Sequence, residues 1–232
     1  MAQPSEGPPV PQVEFPAADD VRLEGNLATP DEPKGGAAVI CHPHPRHGGS
    51  MDSWMMPVLQ RALVDDGWLA LRFNFRGVGS SEGSYERGEG ELKGVSGAVD
   101  YLLEQAGGYA TLLVGGLSFG AHTTLRYALG DKRIAGWFGI GLPYRTREIH
   151  VPELSLDALA RWTVPKLFLH GSRDQIASVE AIEELVHAAG APKRLRIVDG
   201  GDHFLAAHGD VLGEELRSFA RLVLQTSRGG GT

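Results

Sequence analysis

The chain contains a single cysteine, Cys41, so no disulfide can form within it. That fits a reducing, cytoplasmic setting. Cys41 closes an apolar run and reads as a small core residue rather than a nucleophile. Long apolar segments are also missing. None reaches the roughly 20 residues that a membrane-spanning helix requires. Positive charge is in deficit: 22 Lys and Arg face 29 Asp and Glu, for a net charge of −7. This balance argues against nonspecific contact with nucleic acid or acidic membranes. Met1 to Gln12 carries neither a basic flank nor an apolar run and is not expected to be a signal peptide.

Glycine, in contrast, is plentiful, with 32 residues among 232. Its placement is informative in Thr111-Leu112-Leu113-Val114-Gly115-Gly116-Leu117-Ser118-Phe119-Gly120-Ala121-His122. An apolar strand there meets a sharp turn and then a helix start, with Ser118 inside the pattern G-x-S-x-G. A serine on such a corner has its hydroxyl pushed out of the sheet toward a substrate. A second match, Gly79-Ser80-Ser81-Glu82-Gly83, lies in a polar loop without strand or helix context. Ser81 is therefore read as a loop residue.

Along the chain, residues 1–9 read as a disordered, proline-rich arm, 10–226 as one domain and 227–232 as a glycine-rich tail. Strands are expected at Val10–Phe15, Arg22–Ala28, Ala37–Cys41, Trp68–Phe75, Thr111–Leu117, Ile134–Ile140, Lys166–His170 and Arg194–Val198. Helices are expected near Asp52–Asp65, Gly90–Gln105, from Ala121 to Leu129, Leu156–Trp162, Val179–Ala189 and Val211–Leu224. Alternation of strand and helix implies an α/β protein: a parallel sheet with helices on both faces, extended at one edge by two antiparallel N-terminal strands.

Ligands of open α/β sheets bind beyond the carboxyl ends of the strands. Ser118, Asp174 and His203 each follow an apolar strand, in that chain order. A serine hydroxyl needs a base to take its proton, and a carboxylate can orient that base. Hence Ser118 is expected as nucleophile, His203 as base and Asp174 as acid. Asp199 is the backup acid; Asp202 is expected to point elsewhere. His122 and His208 are the rival bases. For the oxyanion hole, the Phe119 N–H sits at a helix N-terminus. The second donor should come from His42 to Gly49. Pro43 and Pro45 have no N–H, which leaves His44, with His47 and Gly48 as alternates. The triple His42-x-His44-x-x-His47 also offers a rival metal-dependent reading. Arg46, a cation among the would-be ligands, opposes it, and no metal is assigned.

The chain resembles the α/β-hydrolase superfamily over nearly its whole length, and particularly the small bacterial hydrolases similar to dienelactone hydrolase. The resemblance rests on Cys41 to Met51 (C-H-P-H-P-x-x-G-G-x-M), Arg72 to Ser81, Gly116 to Gly120, Gly171 to Asp174 and Gly200 to Phe204. It implies an α/β-hydrolase fold of about eight mostly parallel strands. It also implies serine hydrolase chemistry on Ser118, Asp174 and His203, without a cofactor. Serine replaces the cysteine of dienelactone hydrolase itself. Gly141 to Pro165 is too short for a substantial cap, so an open site is expected, lined by Trp54, Met55, Phe119, Tyr144, Trp162 and Phe204. The expected substrate is a small-molecule carboxylic ester or thioester. Amide cleavage on the same triad and a noncatalytic binding role are the alternatives. Monomer and homodimer both stay open. Arg72 and Arg76 are expected in structural ion pairs rather than on an anionic substrate.

Overall fold

The computed structural model describes residues 12–108 and 111–229. The N-terminal arm at 1–9, and residues 10 and 11 of the first expected strand, lie outside that range. Eight strands form one sheet in the order β1-β2-β4-β3-β5-β6-β7-β8. They span Gln12–Pro16 (β1), Arg22–Ala28 (β2), Gly36–Cys41 (β3), Trp68–Phe73 (β4), Thr111–Leu117 (β5), Ile134–Ile140 (β6), Lys166–Gly171 (β7) and Lys193–Val198 (β8). β1 and β2 form an antiparallel hairpin, and β2 pairs antiparallel with β4. The other pairings are parallel.

The helices are Met55–Val64 (α1), Glu89–Gln105 (α2), Phe119–Ala128 (α3), Leu156–Arg161 (α4), Val179–Ala188 (α5) and Gly209–Gly229 (α6). Strand alternation sends neighbouring side chains to opposite faces. In β3, Ala38 and Ile40 join Met55, Leu59 and Leu63 of α1 and Leu216, Phe219 and Val223 of α6. Ala37, Val39 and Cys41 face the other way, onto Val95 and Val99 of α2 and Ala121 and Leu125 of α3. Both faces of the central strands are therefore covered, which is why their sequences are continuously apolar.

The chain leaves β3 toward β4 on one side and later returns to β5 on the other. The carboxyl ends of β3 and β5 thus flank the point where strand order reverses, a crevice that no crossover closes. Between β6 and β7 the only helix is α4, of six residues. There is no cap.

Several element ends shift, such as β4 ending at Phe73 rather than Phe75 and α1 beginning at Met55 rather than Asp52, and the last helix differs most. Helix α6 runs on to Gly229, so Ser227 to Gly229 are helical rather than a loose tail, and 230–232 lie outside the described residues. Apolar periodicity ends at Leu224, but polar contacts carry the helix further. Thr226 Oγ1 donates to Leu222 O (2.7 Å), Ser227 Oγ donates to Val223 O (3.0 Å), and Arg228 Nη2 reaches Lys34 O.

Candidate active site

Ser118 sits between β5 and α3 with φ 54° and ψ −117°, a conformation that costs a non-glycine residue about 1–3 kcal/mol. The surroundings hold it there. Its N–H donates to Ile140 O at 2.8 Å, and its carbonyl accepts from His122 N–H at 3.0 Å. Gly120, one turn into the motif, lies so close to the end of β3 that a Cβ would stand 2.2 Å from Cys41 O. Only glycine lets the Ser118 corner reach the β3 loop this closely.

His203 follows β8, and Asp174 follows β7. The loop after β8 folds back onto Gly141, at the end of β6. Gly141 has φ 54°, and a Cβ there would lie 2.5 Å from His203 O. The three side chains meet in line. His203 Nε2 is 2.8 Å from Ser118 Oγ, and His203 Nδ1 is 2.8 Å from Asp174 Oδ2. All three are buried. Burial alone would push the Asp174 carboxyl up. The hydrogen bond from His203 and those from the Ala177 and Ile176 N–H groups outweigh it and hold the group below the usual carboxylate range. With Asp174 ionised, Nδ1 carries the imidazole proton and donates it to Oδ2. Nε2 is then bare and accepts from the Ser118 hydroxyl.

The β3 loop is braced by His42. Its Nδ1–H donates to Pro43 O at 2.6 Å, and its Nε2 accepts from Phe75 N–H at 3.1 Å. The ring is fully buried, and burial lowers its pKa to about 4. Both ring nitrogens are thus committed, which leaves no lone pair for a metal. His44 Nδ1 accepts from Arg46 N–H (3.2 Å), so its Nε2–H donates to the Tyr85 hydroxyl (3.1 Å). The His44 ring stacks on His47 at 4.5 Å and leans on Phe119 at 4.9 Å. The three loop histidines do not converge on one point, and no cluster of three metal-ligating side chains occurs among the described residues. The His44 N–H has no acceptor among the described residues. As the first residue of α3, Phe119 has no intrahelical acceptor for its N–H either.

Ser81, Asp199, Asp202 and His122 are engaged elsewhere, and the ring that reaches Ser118 and Asp174 is that of His203 rather than His208. Ser81 Oγ donates to Asn74 O and accepts from Glu24 N–H. Asp199 accepts from Ser172, and Asp202 from Ala206 N–H. His122 is buried on α3 against the Pro152 carbonyl, and burial lowers its pKa to about 3. His208 starts the last helix by accepting from Leu212 N–H on its carbonyl. Arg72 binds Gln60, Asp52 and Met51 O, and Arg76 binds Asp19 and Glu86, so both serve the scaffold.

The expected lining residues divide. Phe204 is 42% exposed with its ring 5.0 Å from that of His203, and Trp54 is 45% exposed. Tyr144 is half-buried in a groove of about 600 Å³ formed by the loop after β6. Three expectations are corrected. The Phe119 side chain is fully buried against His44, Phe75 and Tyr85 and presents no surface to a substrate. Met55 is fully buried in the core beneath the sheet and presents no surface to a substrate. Trp162 lies at the opposite end of β7: its carbonyl accepts from Lys166 Nζ at 2.8 Å, and that ammonium sits 4.9 Å from its ring centroid. Lys166 opens the strand and Gly171 closes it, so the strand's length separates Trp162 from the site. Sequence reading missed His42 as a brace, Tyr85 as its neighbour's partner, and Asn74, whose Oδ1 accepts from Met51 N–H at 2.7 Å. The only signal was that Asn74 and Tyr85 flank or lie in a long polar loop.

A family model described as "Alpha/beta hydrolase domain" matches residues 38–225. The chain is 32% identical over 200 residues to the uncharacterized protein RP471 of Rickettsia prowazekii, covering 84% of this chain and 82% of that one. Among solved structures it is similar to an alpha-beta serine hydrolase homologue from Coxiella burnetii, with a TM-score of 0.79 and 27% identity over 92% of this chain and 99% of the other. It also shares its fold with Est1E of Butyrivibrio proteoclasticus, solved with ferulic acid bound (TM-score 0.80, 17% identity, 92% and 100% covered). The domain match spans most of the chain, and the strained Ser118 corner, the sheet order and the lack of a cap between β6 and β7 agree with it: this protein belongs to the alpha/beta hydrolase family.

Proposed function

We propose that this hydrolase is a serine esterase that cleaves carboxylic esters or thioesters of small to medium acyl groups through an acyl-enzyme. The observation that carries this reading is the unbroken line from Ser118 Oγ through His203 to Asp174, with 2.8 Å at each step. Ser118 Oγ attacks the acyl carbon while His203 Nε2 takes its proton. Asp174 holds the ring in the Nδ1–H tautomer and stabilises the imidazolium that forms. The backbone N–H groups of Phe119 and His44 receive the oxyanion; the helix terminus at Phe119 adds its dipole. Collapse expels the alcohol or thiol, protonated by His203. Water, deprotonated by the same ring, then releases the acid and frees Ser118.

The exposed rings of Trp54 and Phe204, together with Tyr144, would contact the acyl or leaving group. No cofactor takes part in this scheme, and the partner is a small-molecule ester. Placement among the dienelactone-hydrolase-like enzymes rests on the C-H-P-H-P loop. A cytoplasmic location rests on the lone, buried Cys41.

A fluorophosphonate probe tests the reading directly. It should label the wild-type protein at Ser118 and fail to label Ser118→Ala. A panel of p-nitrophenyl esters of rising chain length should show the highest kcat/KM for short acyl groups. Turnover that survives Ser118→Ala but is lost with a chelator would replace the serine mechanism with a metal-dependent one.

A further inference from the structure

A second imidazole faces the Asp174 carboxylate. His170 is the fifth residue of β7 and is fully buried. Its Nε2 lies 2.9 Å from Ala177 O and 3.5 Å from Asp174 Oδ2. Its Nδ1 has no partner among the described residues. Burial lowers its pKa below the usual histidine value, against the opposing pull of Asp174 and the Ala177 carbonyl. The ring is therefore neutral and carries one proton. A carbonyl can only accept, so that proton is on Nε2.

Ala177 is thereby held through both of its backbone groups. Its carbonyl accepts from His170, while its N–H donates to Asp174 Oδ1 at 3.0 Å. The Ile176 N–H donates to the same oxygen at 2.8 Å. Asp174 Oδ1 is thus occupied by the turn, and Oδ2 is left for His203 at 2.8 Å. Releasing the Ala177 carbonyl would leave a buried acceptor without a donor and free the turn that aims the carboxylate.

We infer that His170 is a positioning residue for the catalytic acid: its Nε2–H clamps the Ala177 carbonyl, and the clamped turn points Asp174 Oδ2 at His203. This inference rests on the triad reading proposed above. The neutral charge of His170 matters as well. A cation there would repel the His203 imidazolium that forms during turnover.

The test begins with the wild-type protein. Nitrogen-15 NMR of the histidine rings should show His170 neutral with its proton on Nε2 at pH 7; a proton on Nδ1 overturns the inference. A low-field proton resonance should report the His203 Nδ1–H bond to Asp174. In His170→Leu that resonance should vanish, and kcat should fall about 10–100-fold with KM little changed, because misplacement of a catalytic group by an ångström costs that much. His170→Gln, which keeps an N–H donor at similar reach, should recover most of both. A His170→Leu protein that keeps the resonance and near wild-type kcat overturns the inference. If His170→Leu does not fold, the ring tautomer in the wild type still decides. Turnover by Ser118→Ala would instead sink the serine esterase reading, leaving the NMR result on His170 to stand by itself.

Discussion

At the scale of single residues, the site depends on protons whose positions are forced by their neighbours. Asp174 can only accept at Oδ2, so His203 must place its proton on Nδ1 and its lone pair toward Ser118. Replacing Asp174 with Asn offers an amide N–H in the wrong place. We expect Asp174→Asn to lower kcat by about 10³–10⁴, the size seen when a triad ring loses its correct tautomer, with KM little changed in ester kinetics. His42 is forced in the same way, by Pro43 O on one nitrogen and Phe75 N–H on the other. His42→Leu should cost about 1–3 kcal/mol in urea unfolding, because two buried backbone groups lose their partners. It should also lower kcat, as the loop bearing the His44 N–H loosens. The roles proposed for Ser118, Asp174 and His203 were legible from order and spacing. Those of His42 and His170 were not, since ring direction inside a core leaves no trace in residue type.

At the scale of elements, glycines at strand ends decide how near the loops come. Gly141 is the clearest, combining a positive φ with contact against the His203 carbonyl. Gly141→Ala should strain the backbone and push the His203 loop outward. We expect kcat to fall at least about tenfold, with thermal stability reduced by about 1–2 kcal/mol. A variant with unchanged kcat would show that the loop can shift freely. Strand and helix positions were legible because the apolar period is 2 in strands and 3.6 in helices, as in β3 and α1. The end of α6 was not legible, because hydroxyls at 226 and 227 and Arg228 extend it past the apolar stripe. The place of Trp162 was legible in principle: it precedes Lys166, the first residue of β7, and so lies at the amino end of that strand, away from the carboxyl ends that carry the site.

At the scale of the whole molecule, buried neutral histidines couple stability to acid. His42 and His122 have pKa values lowered by burial to about 4 and about 3, against about 6.5 when unfolded. Between those limits the unfolded chain binds protons that the folded one refuses. Their contribution is therefore complete above about pH 6.5 and is lost as pH falls. We expect the unfolding free energy from urea titrations to drop by up to about 1.4 kcal/mol per histidine for each pH unit below about 6.5. A flat profile between pH 7 and 5 would contradict this. Asp174, held low by its hydrogen bonds, adds its own loss only further down, as pH falls below the ordinary carboxylate range.

The amino-acid sequence by itself determined the alternation of strands and helices, the corner at Ser118, and which loops bear the hydroxyl, carboxylate and imidazole. These are local properties, set by apolar period, by glycine and proline, and by the chemistry of each side chain. Only the tertiary structure decided that the loops after β5, β7 and β8 converge within hydrogen-bond distance, that Met55 turns into the core, and that His170 turns toward Asp174. Those outcomes depend on strand order, register and helix docking, where residues 85 positions apart in the chain become neighbours and no local rule applies.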